Sequence, residues 1–404
     1  MRIAIISYND NLGGAAIASL RLMRALRQAG HDAYMLVFHK YGSDPDVHRM
    51  GDPLSRSFVF LAERLQIFTR NGFNRPDLFK VSTGRFGLSV HTHPLIQSAD
   101  AIFLGWINQG MLSLNEIRRL ASLGKPILWT MHDMWCFTGI CHYAFSCQRY
   151  ENGCGLCKFL HSAASPSDLS SRVWQKKLDI LRPLPIKYVA VSSWVKNKAL
   201  LSPIMNGKEI AVIPNPLWIS QLPEAPEKPA DKFRIVFGAA NLLVPIKRLD
   251  LAIASLNILA ERHPELSDRV EAIFYGAMAS TEPFSVLKTP YKYLGLIDPS
   301  RLPEIFSKAN VVLSTAEFET LGGTLVEGMA YGAVPVTYGE GGQPDFVHHL
   351  RNGYVADYLS PSSTADGIYW ALTAAPSAAS IIASLSPMLP ASVAARHLAL
   401  FNQG

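Results

Sequence analysis

The chain has 404 residues, enough for two domains of ordinary size. It is 49% hydrophobic and only 17% charged, which excludes a disordered polyelectrolyte, and no apolar run reaches the roughly 18 residues of a membrane-spanning helix. The formal charge of +6 divides into +11 over residues 1–200 (24 basic, 13 acidic) and −5 over residues 201–404 (14 basic, 19 acidic), yet no Lys/Arg run is interleaved with aromatics, so no nucleic-acid partner is expected.

The first apolar run, RIAIIS, resembles the core of a leader peptide, but Asp10 ends it and no small-residue cleavage site follows. It reads as a first core strand of an intracellular protein. GGAAIASLRLMRALRQAG reads as a helix with apolar residues at Ile17, Leu20, Met23 or Leu22, and Leu26, closed by Gly30. DAYMLVF, ADAIFLG, PILWTMH and IKYVAVS read as further strands, with NEIRRLASLG and SWVKNKALL as helices between and after them. In SFVFLAERLQIFTRNGF (57–73), Phe58, Leu61, Leu65 and Phe68 share one helix face beside basic residues. That stripe is either core or a membrane-facing surface.

Residues 214–232 (PNPLWISQLPEAPEKPADK) are rich in proline and charge and read as a linker. The rhythm then restarts with FRIVFGA, VEAIFYG, KYLGL, NVVLST and VPVTYG as strands. The expected fold class is α/β, two doubly wound Rossmann-like parallel sheets: an N-terminal domain over 1–213, the linker, a C-terminal domain over 233–385, and a terminal helix within 386–404 that packs back on the first domain.

Two carboxylates, Glu319 and Glu327, bracket Leu321, Gly322 and Gly323 between the strand NVVLST and the helix TLVEGMAYG. A glycine turn there leaves backbone N–H groups open to a phosphate or a sugar, and each carboxylate can accept two hydrogen bonds from a vicinal diol. The whole stretch STAEFETLGGTLVEGMAYGAVPV resembles the donor-binding signature of glycosyltransferase family 4, retaining enzymes of the GT-B fold. The family's two glutamates, its small-residue helix, G-x-P-V and Gly-Gly loop fall at Glu319, Glu327, Gly332, Pro335, Gly341 and Gly342. The resemblance implies two domains facing across a cleft, a nucleotide-diphosphate sugar as donor and no catalytic metal. It implies that Glu319 binds the sugar hydroxyls, that Glu327 holds the nucleotide ribose, and that the backbone of Leu321, Gly322 and Gly323 faces the sugar and diphosphate. Leu321 stands where the family often has an aromatic residue.

Other landmarks carry over position by position. Gly13 and Gly14 match the glycines that cradle the diphosphate from the first domain, and His132, in PILWTMHDMW, matches a histidine near the donor sugar, with Asp133 placed to orient it. Lys247 matches the family's diphosphate lysine. The arginine that many members place nearby is missing, with Ala239, Ala240 and Ile246 at those positions, which leaves Arg248 as the candidate second cation.

HDMWCFTGICHYAFSCQRYENGCGLC resembles a branch of capsule, exopolysaccharide and O-antigen glycosyltransferases. Its cysteines Cys141, Cys147, Cys154 and Cys157, spaced C-x5-C-x6-C-x2-C in the loop 136–158, are read as a structural zinc site in preference to free thiols or a redox pair. The expected function is a retaining hexosyltransferase using a UDP- or GDP-linked donor and a glycan or lipid-linked saccharide acceptor in polysaccharide or lipopolysaccharide biosynthesis. The expected location is the cytoplasm, with the inner membrane surface as a further partner. The alternative is a non-catalytic nucleotide-sugar or glycan-binding partner of another transferase.

Overall fold

The computed structural model describes residues 1–401 apart from Ala230; that linker residue, and residues 402–404 of the expected terminal segment, lie outside the described residues. The chain divides into two compact units, one of residues 1–218 with the chain from Pro390 onward, the other of Ile219–Leu389. Residues 214–229 carry neither helix nor strand.

The first unit contains, in chain order, β1 (Arg2–Asn9), α1 (Gly14–Gln28), β2 (Asp32–His39), β3 (Val47–Arg49), α2 (Pro53–Arg70), α3 (Pro94–Ser98), β4 (Ala101–Leu104), α4 (Leu114–Ala121), β5 (Ile127–Met131), α5 (Leu169–Leu181), β6 (Ile186–Ala190), α6 (Ser193–Leu200) and β7 (Ile210–Val212). The second contains β8 (Phe233–Asn241), α7 (Leu249–Arg262), β9 (Val270–Ala277), β10 (Tyr291–Tyr293), α8 (Leu302–Ser307), β11 (Val311–Leu313), α9 (Gly323–Met329), β12 (Val334–Tyr338), β13 (Tyr354–Ala356), α10 (Pro361–Thr373) and α11 (Ala378–Ala383). The final helix, α12 (Pro390–Ala399), belongs to the first unit.

The sheets run β3-β2-β1-β4-β5-β6-β7 and β10-β9-β8-β11-β12-β13, and all the pairings between these strands are parallel. Parallel strands need crossover helices, which cover both sheet faces. The strands obey this: Ile3–Ile6 and Ala101–Leu104 are buried without alternation. α1 lays Leu22, Met23 and Leu26 on the core around Ile3, Ile5 and Phe103, and α12 adds Val393 and Ala394 to the same core. In both sheets the carboxyl ends of the strands lead into the loops that carry the candidate site residues.

The chain between β5 and β6 leaves the sheet for a long excursion of short 3-10 turns before α5. A buried cation pins its first part. Lys177 on α5 donates from Nζ to the carbonyl oxygens of Trp135 and Thr138, the latter at 3.1 Å, and lies 3.6 Å from the centre of the Trp135 ring. Trp135 in turn donates its indole N–H to Ser82 O at 2.7 Å. Asp168 ties the other end: it accepts from the backbone N–H of Cys157 (2.9 Å) and of Ser170 (2.8 Å), the second contact starting α5.

Lys177→Met leaves two buried carbonyls without this donor, and the free energy of unfolding is expected to fall by about 1–3 kcal/mol per carbonyl. Burial lowers the Lys177 pKa from 10.5 to about 7. Between those values the unfolded chain holds a proton that the native chain releases, so the native protein gains stability with rising pH through the window, and the variant lacks this term. Urea unfolding of both proteins at each end of the window checks the sign. A native advantage that stays flat or shrinks with rising pH contradicts it.

Candidate functional site

In the second unit the loops after β8 and β11 are laced together. Thr315 donates its hydroxyl to the carbonyls of Lys247 (3.1 Å) and Arg248 (2.8 Å), and the Glu317 N–H donates to Ile246 O at 2.9 Å. This brings Lys247 against Glu319, and the Lys247 ammonium donates to Glu319 Oε1. Both side chains are part-exposed, so the pair stands at the surface of the loop.

Gly322 has φ 98°, a left-handed conformation that favours glycine, and α9 starts at the next residue. A Cβ at Gly323 would meet nothing within 4 Å, so the turn is open on that side. Gly341 is the reverse case. Its φ is 119°, and a Cβ there would lie 2.6 Å from Glu319 O and 2.8 Å from Glu319 N. The Gly342 N–H donates to Glu319 O at 2.8 Å, so the second glycine pair acts as a backbone clamp on the glutamate. α9 is shorter than the sequence suggests, ending at Met329 rather than Gly332. Glu327 lies one turn into it.

Two residues of this region were missed by sequence reasoning. Tyr275, near the end of β9, is buried, and its hydroxyl pKa is pushed up by desolvation and then by the charge of Glu327. Its ring packs where a Cβ of Gly238 would be, within 2.0 Å, so the isolated glycine in β8 was the available signal. Gln343 is fully buried beside Gly322 and Gly341, and neither amide atom has a hydrogen-bond partner. Only its place after the Gly-Gly loop marked it.

Arg248 is on the same loop as Lys247, but its guanidinium is turned to other carboxylates. Nε and Nη2 contact Asp250 at 3.0 and 2.8 Å, and Nη1 contacts Glu317 at 3.5 Å. Arg248 itself has φ 50° and caps α7, which fixes this direction.

In the first unit, Gly13 (φ 87°) caps α1 and Gly14 opens it; a Cβ on either would meet nothing within 4 Å. His132 follows β5 and lines a small pocket with Ser19, Gly105, Thr130, Asn215 and His397. Burial, and then the nearby His397, lower its pKa to about 4. His397 hydrogen-bonds Val393 O through Nδ1 at 2.9 Å, while its buried Nε2 has no partner. The structure does not make Asp133 the orienter of His132. Its carboxylate accepts from Trp106 Nε1 (2.6 Å), Asn108 Nδ2 (3.2 Å) and the Trp135 N–H (2.9 Å) instead. Burial raises the Asp133 pKa to about 6 against those bonds. Ser192 caps α6, accepting from the Val195 N–H at 3.3 Å.

The cysteines do not fit the expected zinc site. Among the described residues no group of three or more His, Cys, Asp or Glu side chains is placed to hold a metal ion, and all five thiols are free. Burial raises the thiol pKa values, that of Cys141 most strongly, Cys154 to about 12 and Cys157 to about 11. The excursion that carries Cys141, Cys147, Cys154 and Cys157 is held by Lys177 and Asp168.

The family described as glycosyl transferases group 1 matches residues 221–384. WcaC of Escherichia coli (strain K12), named for glycosyl transfer in colanic acid biosynthesis, is 26% identical over 165 residues, 39% of this chain and 40% of that protein. The gpi3 subunit of phosphatidylinositol N-acetylglucosaminyltransferase from Schizosaccharomyces pombe (strain 972) is 23% identical over 221 residues, 53% of this chain and 47% of that protein. The chain thus spans less than half the length of these curated relatives. The crystal structure of Anabaena Alr3699/HepE in complex with UDP and glucose covers 100% of this chain and 99% of its own, with a TM-score of 0.62 and 14% identity. Among the described residues no helix is long and apolar enough to cross a membrane. Residues 221–384 are thus matched by the glycosyl transferases group 1 family, and the chain as a whole shares its fold of two Rossmann-like parallel-sheet units with the Anabaena structure.

Proposed function

We propose that this chain transfers a hexose-type sugar from a UDP- or GDP-linked donor to a hydroxyl of a growing surface polysaccharide or lipopolysaccharide, with retention at the anomeric carbon. The observation that carries the reading is the Lys247–Glu319 pair beside an open glycine turn, inside the group 1 domain. The UDP and glucose named for the Anabaena structure support a uridine donor. A lipid-linked acceptor is the finer form of the reading, and it would place the work at the inner face of the cytoplasmic membrane.

In this reading the bond from the anomeric carbon to the diphosphate oxygen breaks, and its electron pair stays on the diphosphate. The acceptor oxygen bonds the same face of that carbon, and its proton passes to the leaving phosphate oxygen. The main demand is stabilisation of the charge that develops on the diphosphate. Lys247 meets it, helped by the backbone N–H groups at Gly322 and Gly323. Glu319 accepts from the sugar hydroxyls once the donor's anion draws Lys247 away, and Glu327 holds the ribose. In the first unit Gly13, Gly14 and His132 keep the roles that the resemblance implies. Arg248, engaged by Asp250, is a reserve cation at most, and this favours the second reading, a nucleotide-sugar-binding subunit without activity.

A thermal-shift series with UDP, GDP and their sugar conjugates separates donor from non-donor. One diphosphate class is expected to raise the melting point, corresponding to roughly 2.7 kcal/mol at a hundredfold excess over Kd, and Glu327→Ala to abolish the rise. No rise with any nucleotide overturns both readings. Hydrolysis of the donor in the absence of acceptor separates enzyme from binder. It is expected to be measurable in the native protein and to fall by on the order of 10²-fold or more in Lys247→Ala and Glu319→Gln, at unchanged fold. Nucleotide binding without any turnover makes the chain a binding subunit.

A further inference from the structure

α2 buries charged side chains beside apolar ones and leaves a second apolar stripe outside. The buried face carries Arg56, Glu63 and Arg64 together with Val59 and Ile67. Glu63 accepts from the N–H groups of Thr83 (2.8 Å) and Gly84 (3.1 Å) and pairs with Arg64 at 2.7 Å, while Arg56 donates to Phe38 O at 3.1 Å. The polar face is therefore satisfied where it lies, and the orientation is fixed by a hydrogen-bonded network. The opposite face presents Leu54, Phe58, Leu61 and Leu65, which are 82%, 68%, 62% and 63% exposed. Their spacing of four, three and four positions makes one continuous stripe along the helix. Scattered exposed leucines need no explanation, but a contiguous stripe marks a surface that something covers.

The flank of the same helix gives the chemistry of the cover. Arg70 on α2, Arg85 after the 83–84 turn, and Arg172 and Lys176 on α5 line one hollow. Among the described residues none of these four is in an ion pair, whereas most basic residues of the second unit are. Four uncompensated cations beside an apolar stripe complement a surface that is apolar below and anionic on top. A nucleic acid would match the cations and leave the stripe in water.

We propose that the outer face of α2, with the Arg70–Arg85–Arg172–Lys176 hollow, docks this protein on an anionic phospholipid bilayer. The stripe enters the acyl boundary and the hollow takes lipid phosphates. This deepens the lipid-linked form of the proposed function, since it would bring the first unit to the surface where such an acceptor lies, but vesicle binding is measured without donor or acceptor.

Co-sedimentation with vesicles of phosphatidylcholine alone, and of phosphatidylcholine with phosphatidylglycerol, tests it. Native protein is expected to bind the anionic vesicles and to lose binding with added salt. Leu61→Ser/Leu65→Ser is expected to weaken that binding by at least tenfold, and Arg172→Gln/Lys176→Gln by on the order of tenfold or more. The nucleotide-induced melting shift is read on both variants. A retained shift shows that they are folded and keeps this test independent of the donor assignment. Failure of native protein to bind anionic vesicles overturns the proposal, as does unchanged binding by both variants. A vesicle-independent dimer that Leu61→Ser/Leu65→Ser disrupts, with no vesicle binding, assigns the stripe to a second copy of the chain and also overturns it.

Discussion

The second unit's candidate site depends on one backbone contact, that of the 341–342 loop with Glu319. The Gly342 N–H holds the Glu319 carbonyl at 2.8 Å, and Gly341 can lie against the Glu319 backbone only because it has no Cβ. The loops after β11 and β12 are neighbours because parallel pairing puts consecutive strand ends on one edge of the sheet. The clamp converts that proximity into a fixed direction for the Glu319 carboxylate. Thr315 adds the third loop by bonding the carbonyls of Lys247 and Arg248. A carboxylate and an ammonium are then presented together next to a turn that a ligand can approach. None of these positioning contacts uses the two charged groups themselves, which pair with each other.

The first unit solves a different problem. Its long excursion after β5 must be held close to His132 without strands to carry it. A buried lysine does this by filling three needs at once: two carbonyl acceptors, an aromatic face, and countercharge for Asp133. Desolvation outweighs the attraction between the two charges, lowering Lys177 to about 7 and raising Asp133 to about 6. Each is held by its own hydrogen bonds, Lys177 to two backbone carbonyls and Asp133 to Trp106, Asn108 and the Trp135 N–H, so the two charges sit in fixed places without touching.

The two sheets, the first helix and the glycine turn were legible because each has a local signature. Buried parallel strands are unbroken apolar runs, as in Ile3–Ile6, and a glycine pair between strand and helix states its own φ requirement. β3 and β13 were not legible, because three residues show no period and they form only by pairing with β2 and β12. The pairing of Arg248, the candidate second cation, with Asp250 was not legible, because its left-handed backbone is fixed by the loop around it. The cysteine spacing suggested a metal, yet spacing gives only sequence distance. The 3-10 turns and the Asp168 cap set where the thiols fall, and among the described residues they leave no three-ligand cluster.

α2 shows the limit most clearly. Its periodicity gives the line that divides its two faces but not which face turns inward. The usual rule points the apolar face to the core, because buried charges cost several kcal/mol each when unpaired. Here the partners that remove this cost, the backbone N–H groups of Thr83 and Gly84 and the carbonyls of Leu78 and Val81, come from a segment without periodicity, some twenty residues away. The segment has to fold onto the helix before Glu63 and Arg64 can be buried. Once it does, the apolar face has no place left in the core, and its exposure follows from the satisfaction of the polar one. An outward stripe produced this way is a specified surface, built at the expense of a simpler core.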